Sequence, residues 1–248
     1  MDGTILLFII IGFVVQMIDG ALGMGYGVCS NSILLSMGIP PALSSASVHF
    51  SEMFTTFVSG IAHWKFKNVD THIWKRLIIP GVIGGILGAY VLTNFPGKAI
   101  KPIVSAILLV MGLVIIYRGL NRQTMFKKLK KHISSMGLVG GFFDAVGGGG
   151  WGPVCTTTLV ARGNDPRYAV GSVNASEWFV TVAESITFII CLSGGLLWHV
   201  IIGLILGGLI AAPFAALLTK KLNASILAVL VGVLVIACSL KNLWGFIF

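Results

Sequence analysis

Acidic residues and polar stretches are both scarce in this sequence. Only 8 of its 248 residues are Asp or Glu, against 17 Lys and Arg, and charged residues make up 10% of the chain. A soluble domain carries about 25%, so an ordinary solvated surface is excluded. No polar segment is long enough to form a separate soluble domain. The 4 cysteines (Cys29, Cys155, Cys191, Cys238) stand singly among apolar residues. They have neither metal-ligand nor disulfide-framework spacing, so packing is the expected role of each. A basic signal-peptide segment is missing before the first apolar run, which follows Met1-Asp2-Gly3-Thr4. That run is therefore read as part of the mature protein. No nucleotide-hydrolysis motif occurs, which argues against an ATP-driven pump.

Apolar sequence fills the space instead. Hydrophobic residues account for 56% of the chain and mean hydropathy is +0.97. Leu77–Gly97, Ser185–Thr219 and Leu222–Leu240 contain no Asp, Glu, Lys or Arg, and a bilayer span needs about 20 such residues. The net charge of +9 is clustered. Arg118, Arg122, Lys127, Lys128, Lys130 and Lys131 lie together, and Lys65, Lys67, Lys75 and Arg76 flank Asp70. Basic clusters beside apolar spans mark cytoplasmic loops rather than a nucleic-acid surface, so lipid is the expected partner and nucleic acid is not.

The chain repeats itself. Residues 19–57 laid on 144–182 without a gap give 13 identities in 39 positions, where composition alone gives roughly three; this is a duplication. The pairs include Asp19/Asp144, Gly23/Gly148, Gly25/Gly150, Gly27/Gly152, Pro41/Pro166, Ser47/Ser172, Ser51/Ser176 and Glu52/Glu177. Later, Gly84-Gly85 resembles Gly207-Gly208. The first unit is placed at 1–120, with paired short segments over 4–38 and spans at 42–64, 73–94 and 100–118. A basic cytoplasmic linker follows at 121–133. The second unit occupies 134–248, with paired short segments over 134–163 and spans at 167–192, 196–218 and 223–240.

With the loop at 65–76 placed inside, fourteen of the seventeen basic residues become cytoplasmic, as the positive-inside rule asks. The short segments are too short to cross comfortably. Each pair is therefore expected to form a re-entrant hairpin broken at glycines; hairpins that span fully are the alternative. Three crossings per unit then invert the second copy. The expected fold is an all-α polytopic membrane protein of two inverted repeats, each a broken re-entrant hairpin plus three transmembrane helices. Such repeats with glycine-broken helices mark transporters whose site lies where the breaks meet.

Five acids fall inside apolar segments: Asp19, Glu52, Asp144, Glu177 and Glu184. A carboxylate at bilayer depth costs at least ~2.5–3.5 kcal/mol and usually faces a cavity or partner. A carboxyl that trades between charged and neutral forms suits reversible proton carriage. Asp19, Glu52, Asp144 and Glu177 are the proton-coupling candidates. For Asp19 and Asp144, which precede the glycine stretches, capping of a broken helix end stands as an equal reading.

The stretches Gly23-Met24-Gly25-Tyr26-Gly27 and Gly147-Gly148-Gly149-Gly150-Trp151-Gly152-Pro153 allow backbone to unwind. A half-helix opening there presents free amides and a positive dipole end to an anion; close packing through small residues is the alternative. Substrate-binding candidates are Gly23, Gly25, Tyr26, Gly27, Gly148, Gly149, Gly150, Trp151 and Gly152. The donors Ser47, His49, Ser51, Ser172, Asn174 and Ser176 complete the set. No pattern asks for a metal or a cofactor.

Asp, then Gly-x-Gly-x-Gly, then Gly-x-x-Pro, then Ser-Val-x-x-Ser-Glu, duplicated, resembles the TauE/SafE family of membrane permeases over essentially the whole chain. The resemblance implies a bacterial or archaeal inner-membrane transporter of a small sulfur-containing anion such as sulfite, thiosulfate or sulfoacetate, driven by an ion gradient. It departs at Val28, where the second unit has Pro153, so the two half-sites need not be equivalent. Proton-coupled transport is the expected function. A passive anion channel and a membrane-embedded enzyme using Asp19 and Asp144 are the alternatives. The sequence is compatible with an oligomer and encodes neither direction of transport nor a choice between H+ and Na+.

Overall fold

The computed structural model describes residues 3–22, 24–121, 132–193, 195–218 and 224–247. Gly23, most of the basic linker at 121–133, and Lys220-Lys221 lie outside the described residues. The described residues form helices joined by short turns. They are α1 (Gly3–Leu22), α2 (Tyr26–Ser36), α3 (Pro41–Lys65), α4 (Thr71–Asn94), α5 (Gly97–Leu120) and α6 (Ile133–Gly147). A π-helical turn, Gly152–Thr156, leads into α7 (Thr157–Ala161), followed by α8 (Pro166–Leu192), α9 (Trp198–Leu218) and α10 (Ala224–Ile247).

Helix starts follow local chemistry. Pro41 and Pro166 open α3 and α8, where a missing N–H costs nothing and the fixed φ suits a first turn. Asp70 caps α4 by accepting from the amides of His72 (2.8 Å) and Ile73 (3.4 Å), as a carboxylate at N-cap does. Gly38 and Gly163, at φ +89° and +79°, end the short helices in the left-handed conformation that glycine tolerates.

Helices α4, α5, α8 and α10 are long and apolar enough to span a membrane by length and composition. Much of their surface is apolar and outward-facing, with Ile79 68%, Leu120 68% and Ile190 71% exposed. In water such surface would be a large liability; against lipid chains it is solvated. The chain is a multi-pass, all-α membrane protein.

The two sequence units are interleaved. Helix α1 packs along α9 and α6 along α4, while α3 packs on α8 and α5 on α10. Each contact is the counterpart of another, or of itself, when the units are exchanged. Small residues permit the closest approaches. A side chain at Gly84 would strike the backbone of Leu138, and one at its counterpart Gly207 would strike the backbone of Ile9. Helices with such faces pack backbone to backbone without needing a hydrophobic drive.

Contacts along the pairs also give helix directions. His49 of α3 meets Glu184 of α8, whereas Ser59 of α3 meets Asn174 of α8, so these equivalent helices run antiparallel. Gly112 of α5 packs beside Gly232 and Val235 of α10, and Gly119 beside Ser225 and Ala228, again antiparallel. Helix α4 runs parallel to α8: Trp74 Nε1 donates to the Ala175 carbonyl (3.1 Å), and Gly85 lies against Glu184.

Candidate transport site

Two helix breaks make the site. In the first unit the backbone stops being helical after Leu22 and restarts at Tyr26, through Gly25 at φ +129°. In the second, α6 ends at Gly147 and Gly148 and Gly149 take φ +64° and +150°. These are conformations that residues with a Cβ rarely adopt. The breaks touch: Gly149 lies directly on the backbone of Gly27 and Val28, so closely that a Cβ at Gly149 would collide with both. Pro153 has no N–H, and the chain around it passes through a π-turn, a feature frequent at functional sites.

Asp19 and Asp144 act alike at the two restarts. Asp19 Oδ1 accepts from the amide of Tyr26 (3.2 Å) and Asp144 Oδ1 from the amide of Trp151 (2.9 Å). Each carboxylate thus satisfies an orphan amide at the start of a returning half-helix. Carbonyls at the end of α6 are also met from the first unit. Asn31 Nδ2 donates to Gly147 O (2.5 Å), Ser45 Oγ to Ala145 O (2.6 Å), and His49 Nε2 lies 3.2 Å from Asp144 O.

A narrow polar cavity lies beside the breaks. It consists of two adjoining pockets that share Asp19, Tyr26, Glu52 and Glu177; one is also lined by Gln16, Thr55, Thr56, Ser59 and Asn174, the other by Met24, Gly25, Gly27, Gly149, Gly152 and Pro153. Asp19, Glu52 and Glu177, from both units, converge on it. No Lys or Arg is among these lining residues.

Several candidates sit elsewhere. Ser47, Ser51 and Ser176 are buried, and their hydroxyls donate to the backbone carbonyls of Leu43 (2.7 Å), Val48 (2.7 Å) and Val173 (2.8 Å). Ser172 is bonded to the backbone of Asp70. Gly148 packs against Asn31 and Gly150 against Phe143. Trp151 is fully buried, with Nε1 donating to Val173 O (3.1 Å). None of these residues lines the cavity, and neither do His49 and Asp144. Gln16, Met24, Thr55, Thr56, Ser59 and Pro153 line it and are not among the sequence candidates. Neutral side chains on an apolar helix give no signal of where they point.

Behind Glu52 the structure places a second group. His49 Nδ1 is 3.1 Å from Glu52 Oε2 and 3.1 Å from Glu184 Oε2, and its ring stacks on Phe188 at 6.0 Å. His49 and Glu184 have no exposed surface. Glu184 carried a signal in the sequence, as the fifth acid at bilayer depth, but it has no acidic mate in the other unit: Ser59 stands there.

The family model described as "Sulfite exporter TauE/SafE" matches residues 8–242. The chain belongs to this family of membrane transporters. It is 44% identical over 252 residues to the "Probable membrane transporter protein YtnM" of Bacillus subtilis, covering 97% of this chain and 84% of that protein. It is also 25% identical over 89 residues to "Sulfite exporter TauE/SafE family protein 3" of Arabidopsis thaliana, covering 36% of this chain and 19% of that one. No solved structure matches.

Proposed function

We propose that this TauE/SafE transporter carries a small sulfur-containing oxyanion of the sulfite class through the central cavity, together with protons. The units are taken as inverted repeats across the bilayer. This fits the antiparallel pairing of α3 with α8 and of α5 with α10, and it matches the architecture of many secondary transporters. The observation that carries the reading is the meeting of both glycine breaks in one cavity with Glu52 and Glu177, the duplicated glutamates.

That lining sets the chemistry. The amides nearest the restarts, those of Tyr26 and Trp151, are taken by Asp19 and Asp144. Asp19 and Asp144 are therefore assigned to holding the half-helices in place. The following turns, at Gly27 and Gly152, remain beside the cavity and offer backbone dipole to an anion. Asn174 adds a neutral donor. An oxyanion next to Asp19, Glu52 and Glu177 would be repelled if all three were charged, at a cost that low polarity enlarges. Protonation of Glu52 and Glu177 leaves only the Asp19 carboxylate, itself hydrogen-bonded to the Tyr26 amide, opposing the anion, and turns each glutamate into a donor. Anion entry and proton uptake are then one event, which is the coupling required of a symporter.

Purified protein in liposomes, screened with sulfite, thiosulfate, sulfoacetate and taurine under an imposed pH gradient, tests this. At least one of the anions should move saturably and follow the gradient. Glu177→Gln should abolish gradient-driven flux. Flux without saturation or gradient dependence would make the protein a passive channel, and unchanged pH-dependent transport in Glu177→Gln would remove the proton role.

A further inference from the structure

We infer that Glu52, His49 and Glu184 form a one-sided proton relay, with Glu184 as a sealed store behind the cavity. The inference rests on the proton-coupled reading above, but its core is a matter of hydrogen-bond accounting. Nε2 of His49 faces the carbonyl of Asp144. A carbonyl only accepts, so Nε2 carries a hydrogen. In a neutral ring the other nitrogen, Nδ1, is then a lone pair, yet it faces a carboxyl oxygen of Glu52 and one of Glu184 at 3.1 Å each. Lone pairs do not face one another at that distance in a buried site. The trio therefore holds at least one proton beyond that of a neutral histidine between two carboxylates, on Nδ1 itself or on a glutamate that donates to it.

The site is built for this. Glu184 lies where α4 has Gly85, and a Cβ there would come within 2.6 Å of Glu184 Oε1, so the absent side chain makes the room. Glu184 Oε1 meets no donor, and His49 Nδ1 approaches Glu52 Oε2 and Glu184 Oε2 at 3.1 Å without an aligned hydrogen bond, so a small reorientation of the glutamates accompanies each transfer. The titratable groups facing the trio are Asp144 on α6 and Glu177 on α8, with Asp19 of α1 across the cavity. Phe188 walls the ring on one face. Glu52 alone of the three reaches the cavity.

The step conserves protons and needs no co-reactant. A proton on a Glu52 oxygen passes to Nδ1 of His49, leaving Glu52 a carboxylate. The same Nδ1 then releases a proton to Glu184 Oε2, restoring the neutral ring. Because one nitrogen both receives and delivers, the ring need not flip and the bond to Asp144 O persists. An arriving anion reverses the flow, since its charge favours a neutral Glu52 over a neutral Glu184.

The counterpart residues cannot do this. His49 corresponds to Asn174 and Glu184 to Ser59, and these two meet by a plain hydrogen bond of 3.1 Å. That supplies the test variant, His49→Asn with Glu184→Ser, which rebuilds the inert pairing at the relay position. In proteoliposomes, proton-driven uptake of the transported anion should fall by about a hundredfold, the scale of a positioned proton carrier. Exchange of labelled for unlabelled anion without a pH gradient should persist within about twofold, reporting an intact anion path. Equal loss of both fluxes, or loss of neither, overturns the relay.

A measurement on the purified protein stands apart from transport. Infrared difference spectra between acid and alkaline buffer should contain a protonated-carboxyl band that Glu184→Gln and Glu52→Gln each diminish. A wild-type protein that moves none of the anions tested would defeat the transport reading while leaving this spectrum to decide the relay. Wild-type spectra lacking the band overturn the relay, as does Na+ or a divalent cation binding to the wild type and lost in Glu184→Gln. The latter would make His49, Asp144 and Glu184, whose ligand atoms lie within 4.8 Å of one another, a cation site. Should Glu184→Gln fail to fold, His49→Gln, which removes the shared nitrogen and keeps the glutamate, must shift the carboxyl band by itself or the relay is rejected.

Discussion

Helices α3 and α8 touch through polar groups at two equivalent places, and the two places are built from different chemistry. At one, a fully buried histidine lies between Glu52, which reaches the cavity, and the fully buried Glu184; at the other, a serine donates to an asparagine at the cavity wall. The breaks differ in the same sense. The end of α6 is tied down by Asn31, Ser45 and His49 and pressed against Gly27. A Cβ added at Gly25 of the first break would meet, among the described residues, nothing nearer than Ile18 at 3.7 Å and Val231 at 3.9 Å. Duplication supplies two equal scaffolds, and substitution at a few positions has made the two crossings differ: a histidine and acids at one, a hydroxyl and an amide at the other. In the proposed relay, asymmetry of this kind is what would let a pseudo-symmetric cavity couple to protons from one side.

The comparison is broken most readily at the glycines. Gly149→Ala adds a Cβ that meets the backbone of Gly27 and Val28, on top of ~1–3 kcal/mol for a disfavoured backbone conformation. Backbone cannot step aside as a side chain can, so this variant should yield no folded protein by size exclusion in detergent. Gly25→Ala has the same φ handicap, but its Cβ would make only ordinary van der Waals contacts with the side chains of Ile18 and Val231. It should fold with a thermal midpoint lowered only by that ~1–3 kcal/mol. Equal losses for the pair would mean that the breaks are held alike.

The two aspartates give a smaller contrast. Asp144→Ala strips the acceptor from the amide of Trp151 in a buried setting, and an orphaned buried donor costs ~1–3 kcal/mol. Asp19 is only partly buried and its bond to Tyr26 is longer, so Asp19→Ala should cost less. Asparagine keeps an acceptor oxygen at either position. Stability recovered by Asp144→Asn together with unimpaired pH-driven flux would confine the residue to capping. Recovered stability with flux lost would return it to the proton path.

Much of this was legible because it left traces in residue type. Absence of charge gave the all-helical membrane fold, and the 13 identities gave the duplication. Glu52 and Glu177 stood out because ionisable groups are expensive at depth, and both line the cavity. Ser47, Ser51, Ser172 and Ser176 do not line the cavity. A serine hydroxyl on a helix can bond backward to its own turn, as three of these do, and the sequence does not distinguish that from a substrate contact. His49 reads as an anion donor from its own segment, but its Nδ1 lies beside Glu184, 135 positions along the chain. Glu184 lacks an acidic counterpart, so a search by repeat symmetry passes over it. Antiparallel packing of α3 on α8 brings the pair together, and no periodicity within either segment encodes that.

The smallest effect belongs to the inert crossing, and it is the sharpest control. Ser59 Oγ and Asn174 Oδ1 share a neutral hydrogen bond, and Asn174 Nδ2 also donates to Val170 O at 3.2 Å. Ser59→Ala removes one bond of ~0.5–1.5 kcal/mol. It leaves Asn174 beside the cavity, where water can replace the lost partner. Neither residue gains or loses a proton near neutral pH, so the pH dependence of flux should keep its midpoint while stability falls slightly. A shifted midpoint in Ser59→Ala would mean that this crossing also feels the proton path, and the two halves would then differ in degree rather than in kind. An unmoved midpoint, set against loss of gradient-driven uptake in the His49→Asn, Glu184→Ser double variant, would place the coupling on one crossing of α3 and α8 and leave the other as scaffold.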